Sequence, residues 1–507
     1  MNIARLALDN IERFGSYTSI HFENTSFTNV EMYERTCRVA DVLNSRGIKQ
    51  GDRVVVMMLN SPDVMSAFLA IWKLGAVIIP VTPMWTAREV RYVIEDSGAR
   101  DIVTSPELAA RLKEAAEGIP RFKQILVIGE TAVEGTVNIL PEIEAASPLD
   151  AITDCAKDDL AMLLYTSGTT GNPKGVMLSH DNLQFVADAV YENQKSLGQY
   201  RSMLVLPLSH VYGVLVMNAG YRVGTTSCIL RFFDPTRALE TIQNFRVQRV
   251  AVVPTMLTYL INHPDREKYD LSSLELVGSG ASPLSEAVRQ EFQRLFDCRL
   301  LQGYGLSESA GALTSYLPDE EYRVGSVGRP LTGIEACIMD FDNRRLPPRQ
   351  QGEICTRGRH VMKGYLNKEE ATREAIIDGW LHTGDIGYLD EDGYVYITDR
   401  KKDIIIKGGE NISPREIEES IYTHTSVAEA AVFGVVDELY GEQVCAAIVL
   451  KPGQSVTKEE IKEHIGRYVT KFKVPSRITF VENLPKNASG KILKRTLREQ
   501  FASHKDA

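Results

Sequence analysis

The sequence predicts an α/β protein: a large N-terminal domain of doubly wound sheets, a small β subdomain, and a small α/β C-terminal domain. Three observations lead there. Short apolar runs alternate with amphipathic stretches through the first third of the chain, the pattern of strands layered with helices. Residues 330 to 398 change character, with turn pairs such as Asp342-Asn343 and Asp390-Glu-Asp-Gly393 between short strand candidates. Beyond the charged run Asp399-Arg-Lys-Lys-Asp403 a self-sufficient strand and helix pattern begins again. A chain of 507 residues also exceeds the roughly 250–300 at which a single core stops growing.

The elements follow in order. Thr28 to Glu31 is a capping box opening a helix that carries Tyr33, Cys37, Ala40 and Leu43 on one face and closes at Gly47. Val54 to Leu59 reads as a buried strand, Asn60-Ser-Pro as the start of the next helix, and Gly75 to Val81 as a second strand, which is doubly wound logic. Leu160 to Leu164 reads as a strand, Ser179 to Ala189 as a helix, and Leu274 to Val277 as a strand. In the β subdomain, Gly352 to Thr356 and Gly393 to Thr398 are strands. The C-terminal part holds a helix near 415–422, strands near 429–435, 443–450 and 477–482, and a helix capped by Thr457-Lys-Glu-Glu460. The expected domains are 1–399 and 404–507, with 400–403 as a hinge.

Composition excludes several classes. It is ordinary for a globular enzyme, 44% hydrophobic and 24% charged, and a net charge of −10 argues against a nucleic-acid partner. Any anion site must therefore be local. The seven cysteines are scattered without a C-x-x-C pair, which reads as small buried residues in a reducing compartment, with neither metal nor disulfide. The opening MNIARLALDNIERFG has acids where a signal peptide would be apolar, and no run approaches the roughly 18 apolar residues of a membrane span. A cytoplasmic protein is expected, and a homodimer is compatible with the sequence.

Six segments carry chemistry. In Tyr165-Thr-Ser-Gly-Thr-Thr-Gly-Asn-Pro-Lys-Gly175, the hydroxyls of Thr166, Ser167, Thr169 and Thr170 are donors, and Gly168, Gly171 and Gly175 let backbone N–H groups turn toward a polyphosphate. Lys174 adds a charge. A Walker A loop is excluded, since Lys174 precedes its glycine. Leu206-Pro-Leu-Ser-His210-Val-Tyr-Gly213 leads into an apolar run. Gly278-Ser-Gly280-Ala281-Ser282 is small enough for an aromatic base to approach the backbone. Within Gln302-Gly303-Tyr304-Gly305-Leu-Ser307-Glu308, Tyr304 can stack on a purine, Ser307 can donate to a phosphate, and Glu308 offers a hard carboxylate to Mg²⁺. Trp380-Leu-His-Thr-Gly-Asp385 and Pro485-Lys-Asn-Ala-Ser-Gly-Lys491 complete the set. Taken singly, each has a plain structural reading: His210 as a satisfied helix start, Asp385 as a turn cap, Lys491 as a surface lysine near a chain end.

Taken together and in this order, the six resemble the signatures of the superfamily that includes acyl- and aryl-CoA synthetases, luciferases and peptide-synthetase adenylation domains, over the whole chain. The resemblance implies ATP and CoA as co-substrates, Mg²⁺, and an acyl-AMP intermediate. It places residues 166–171 and Lys174 on phosphates, Gly280, Ala281 and Ser282 along adenine, and Gln302, Gly303, Tyr304, Gly305 and Ser307 around the nucleotide. It makes His210 the orienter of the acid, Asp385 and Arg400 the ribose ligands, Lys402 the pivot and Lys491 the catalytic lysine. It also makes the C-terminal domain mobile, swapping Lys491 for a CoA-side face at Gly408, Gly409 and Glu410. Where the superfamily usually has Thr, this chain has Ser307.

For the acid, Val211, Tyr212, Val214 and Met256, with their apolar neighbours, suggest a slot in which no arginine or lysine asks for a second carboxylate. A medium- or long-chain fatty acid is the first expectation, and an aryl acid of the benzoate or cinnamate type the second. An acyl-AMP ligase serving a carrier protein is a further alternative, although the insertion expected of it before Arg400 is not seen. An amino-acid adenylating domain would need an acid near His210, and none is there.

Overall fold

The computed structural model describes residues 1–166, 173–437, 439–486 and 491–503. Two sheets dominate the N-terminal part. One has the strand order Arg299–Gln302, Leu276–Ser279, Arg249–Val252, Arg201–Leu204, Thr226–Ile229, Thr18–Phe22, Thr25–Thr28, and is parallel except for its last pair. The other runs Gly364–Tyr365, Lys174–Ser179, Leu160–Thr166, Val77–Pro80, Arg53–Met57, Asp101–Thr104, Gln124–Val127, Val137–Asn138. Between the parallel strands come amphipathic helices whose starts were legible. Thr28 closes a capping box with Glu31 on the helix Asn29–Ser45, and Ser61 caps the helix Pro62–Lys73 with proline in its first turn. Helix Pro62–Lys73 is buried at every position but Asp63, with Phe68 and Trp72 inside the largest core, because it is sandwiched between layers rather than lying on the outside.

One expectation is corrected. The Ser/Thr/Gly-rich loop does not pass from a strand to a helix; it joins two antiparallel strands, Leu160–Thr166 and Lys174–Ser179, paired from Leu160↔Ser179 to Thr166↔Lys174. The helix His180–Gln194 follows the second strand, capped by Ser179. The six residues of Lys174–Ser179 become a strand because Met177 and Val176 pair with Gly364 and Tyr365 on the other side, a tertiary partner that local pattern does not reveal.

A third sheet forms the β subdomain, with Trp380–Leu389 paired to both Gly352–Arg357 and Val395–Arg400. The fourth, Glu410–Ile412, Ile405–Lys407, Gly441–Leu450, Val427–Asp437 with Arg477–Phe480 on the strand Gly441–Leu450, has its own cores. The helix Lys494–Ser503 packs on it through Leu497 and Phe501, whose ring meets Phe433 edge-on at 4.8 Å. Among the described residues, no helix is long and apolar enough to cross a membrane.

Candidate active site

The first sheet fixes where a ligand can sit. The chain leaves Arg201–Leu204 for Thr226–Ile229 on one side and returns to Arg249–Val252 on the other, so strand order reverses at Arg201–Leu204. Open α/β sheets bind ligands outside the carboxyl ends of strands at such a reversal. Three of the six segments lie there. The loop after Leu204 carries His210, Ser279 leads into Gly280 and Ala281, and Gln302 leads into Gly303 to Glu308. A cavity of about 900 Å³ opens at these ends and is also lined by Thr166, Lys174, Arg400, Lys402 and Lys491.

Close packing explains the small residues. A Cβ on Gly305 would lie 2.4 Å from the Gly311 carbonyl oxygen, and one on Gly280 would press on the Tyr212 ring at 3.1 Å. Ala281 takes the left-handed region at φ 67°, which turns the chain sharply away from the strand.

One end of the site is built around Asp385, only 2% exposed. It pairs across the strand register with Arg400, whose Nε stands 2.7 Å from Oδ1, and the Tyr304 hydroxyl donates to Oδ2 at 2.6 Å. Burial and the Asp385 charge push the Tyr304 phenol well above its usual range, so it stays a donor. A carboxylate has about four acceptor positions, so two remain for a pair of vicinal hydroxyls. Glu308 accepts from the Tyr365 hydroxyl at 2.8 Å, and the Lys174 ammonium lies 4.9 Å over the same ring. Tyr365 thus ties the acidic Glu308 and the basic Lys174 together. It was not legible in the sequence, because its role comes from the short pairing with Val176.

His210 caps the helix Val211–Val223 by accepting the Tyr212 N–H on Nδ1 at 3.3 Å. That bond assigns the ring proton to Nε2. Burial, with a smaller push from Lys491, holds His210 down at about 4, a neutral donor near neutral pH. Lys491 is itself pulled down to about 7 by burial, then by Arg400 and Lys402, against the opposing charges of Asp385 and Asp403.

Some expected residues are not brought together. Val214 is fully buried in the main core, and Met256 packs into a separate core behind the strand Arg249–Val252. The helix explains this: Val211, Leu215 and Ala219, at i and i+4 spacing, face the cavity with Tyr212 and Val216, which turns Val214 inward. Ser282 is absent from the cavity wall, its hydroxyl buried without a hydrogen-bond partner among the described residues. Gly408, Gly409 and Glu410 also lie outside the cavity. Gly408 faces Tyr440 and Phe472, and a Cβ on Gly409 would meet nothing within 4 Å. Ser167, Gly168, Thr169, Thr170 and Gly171 lie outside the described residues. The expectation of a cavity without arginine is corrected, since Arg249 is on its wall.

The cavity thus gathers His210, Tyr304, Arg400 and Lys491 on its wall, with Asp385 buried behind Tyr304 and Arg400, the arrangement of an adenylate-forming ligase. The chain belongs to the AMP-binding enzyme family: that family's profile matches residues 8–366, and the AMP-binding enzyme C-terminal domain matches 416–491. It is 33% identical to the long-chain-fatty-acid–CoA ligase of Bacillus subtilis (strain 168), covering 97% of this chain and 93% of that one. It is 37% identical to 4-coumarate–CoA ligase 2 of Petroselinum crispum, covering 95% and 90%. Among solved structures, ATP-bound MatB from Rhodopseudomonas palustris superposes with a TM-score of 0.90 at 31% identity and 99% coverage of both chains. The apo form of MatB gives 0.77 at the same identity. The protein is an AMP-forming, ATP-dependent carboxylate–CoA ligase.

Proposed function

We propose that the acid is a medium- or long-chain fatty acid and that the residues gathered at the crevice activate it in two steps. The acid's body is read from one observation: between His210 and the polar far end the cavity wall carries an aliphatic stretch, Leu215, Val216, Ala219, Val250, Ala251 and Leu276. A carboxylate cannot expel oxide, so it first attacks the α-phosphorus of ATP and releases pyrophosphate as acyl-AMP forms. The CoA thiol sulfur then attacks the acyl carbon, loses its proton, and AMP leaves.

In the first step His210 donates to the acid's carboxylate, Asp385 and Arg400 hold the ribose, and Tyr304 stacks on adenine. Charge accumulates on the α-phosphate oxygens, where the Lys491 ammonium stabilises it. Glu308 and Lys174 serve the β- and γ-phosphates. Mg²⁺ fits this donor set: it binds through one or two carboxylates plus phosphates, and Glu308 supplies the carboxylate. The ion would neutralise phosphate charge. Among the described residues no cluster of three or more His, Cys, Asp or Glu could hold a metal without such help.

For the second step the unit 404–507 turns about 400–403, with Lys402 as pivot, and presents Gly408, Gly409 and Glu410 to CoA. The greater similarity to ATP-bound than to apo MatB supports reading the present arrangement as that of the first step. Free thiols throughout the described residues fit a cytoplasmic setting. The test of the acid is kcat/KM for CoA-dependent AMP formation with hexanoate to tetradecanoate against benzoate and 4-coumarate. The fatty acids are expected to lead. An aromatic acid preferred by more than about tenfold, or about 1.4 kcal/mol, would overturn the choice of acid.

A further inference from the structure

The far end of the acid cavity is not apolar. Arg249 opens the strand Arg249–Val252, flanked in register by Ser202 on one side and Leu276 on the other, all three on the cavity wall. Two residues on, Ala251 lines the same wall beside Gly278, so the cavity runs back along one face of the sheet from the nucleotide to Arg249.

The Arg249 side chain is 10% exposed and lies with its guanidinium carbon 4.0 Å over the Tyr200 ring. Its Nη2 is 3.7 Å from Glu275, a carboxylate that is itself more than half exposed. Nε and Nη1 are buried with no hydrogen-bond partner among the described residues. Nearby, the Tyr200 hydroxyl donates to Gln194 Oε1 at 3.3 Å, and both side chains line the cavity. Burial lowers the guanidinium's affinity for its proton, with Tyr200 and Glu275 opposing. A guanidinium is nonetheless always charged near neutral pH, and a buried cation with unused donors is stabilised most by a desolvated anion. Stacking on Tyr200 accounts for the position of the side chain but satisfies neither Nε nor Nη1.

We infer that Arg249 is a specificity-determining residue that receives a second carboxylate, so that the preferred acid is an aliphatic dicarboxylate whose far end pairs with this guanidinium. The inference rests on the aliphatic reading of the cavity and adds the chemistry of the chain's other end. Arg249 lies well back along the sheet from the turn at Gly280. Gly280 donates to the Val252 carbonyl, level with Val253, four residues from Arg249, a separation of about 13 Å at the strand rise. Diacids with several methylenes between their carboxylates are therefore the ones to set against Arg249.

The experiment compares matched pairs, hexanoate with adipate, octanoate with suberate and decanoate with sebacate, by kcat/KM for CoA-dependent AMP formation. The wild type and the Arg249→Met and Arg249→Lys variants are assayed side by side. The wild type is expected to favour the diacid in at least one pair. Arg249→Met should lower the diacid-to-monoacid ratio in that pair by about 10- to 100-fold, the loss of a charge-assisted bond, and Arg249→Lys should retain part of the preference. Because the readout is a ratio within one enzyme, a merely structural arginine would not move it. A wild type that favours the monoacid in every pair, or a ratio unchanged in Arg249→Met, overturns the inference and leaves the fatty-acid reading standing. Aromatic acids outrunning both series would overturn that reading, and the inference with it.

Discussion

At the scale of single residues, Lys491 is the group whose chemistry the environment changes most usefully. A lysine ordinarily titrates near 10.5, and burial beside Arg400 and Lys402 brings this one to about 7. The ammonium is present below that value and lost above it. Since the proposed role needs the cation, kcat/KM for acid-dependent pyrophosphate release should be flat on the acid side and fall as pH rises through about 7. Bound polyphosphate favours the charged form, so the corresponding limb in kcat should lie at higher pH. A Lys491→Arg variant, charged at every accessible pH, should lose activity overall yet show no such limb; an unchanged limb would assign the titration to another group. Lys491 was readable from sequence because it ends a motif whose spacing is distinctive. Arg249 was not: in Val247-Gln-Arg-Val250 it looks like a charge entering a strand, and only the neighbouring strands bury it against Tyr200.

At the scale of elements, the legible parts were those with local causes. Capping boxes at Thr28 and Thr457, and prolines in the first turns after Ser61 and Ser413, place helix starts within a residue or so because the cap satisfies backbone donors on the spot. The strand Lys174–Ser179 has no such local cause, and it hid behind the helix that follows. Glycines in the nucleotide turn are a middle case, suggestive in sequence and decided by packing. Gly305 faces backbone at 2.4 Å, whereas Gly303 has 3.3 Å to the Thr314 carbonyl oxygen. Gly305→Ala must therefore shift the 311–312 backbone, at a cost of about 1–3 kcal/mol typical of overpacking, and displace Tyr304 beside it. Its Tm should drop and its KM for ATP rise, with Gly303→Ala showing the smaller change in both. Equal effects from the two substitutions would mean that the turn yields more readily than this packing implies.

At the scale of the whole molecule, the charged run 399–403 and the strand and helix pattern beyond it pointed to a two-part architecture, but which parts meet depends on how the C-terminal unit is placed. Here Lys491 reaches the cavity while Gly409 lies outside it, with space around the position where a side chain would begin. If the unit turns between steps, the two positions serve different halves of the reaction. Lys491→Ala should lose acid-dependent pyrophosphate release, yet convert supplied acyl-AMP and CoA to thioester, since that step attacks carbon and not phosphorus. Gly409→Leu should do the reverse. Its left-handed backbone, at φ 83°, costs a leucine about 1–2 kcal/mol, enough to lower Tm without unfolding the chain, and the side chain would obstruct the CoA face while leaving the ATP end intact. Each variant assayed in both half-reactions gives four numbers, and a mixture of the two with ATP, acid and CoA should recover some thioester through released acyl-AMP. Equal loss of both half-reactions in both variants would place Lys491 and Gly409 in one shared geometry, and the turning of the C-terminal unit would then have no support.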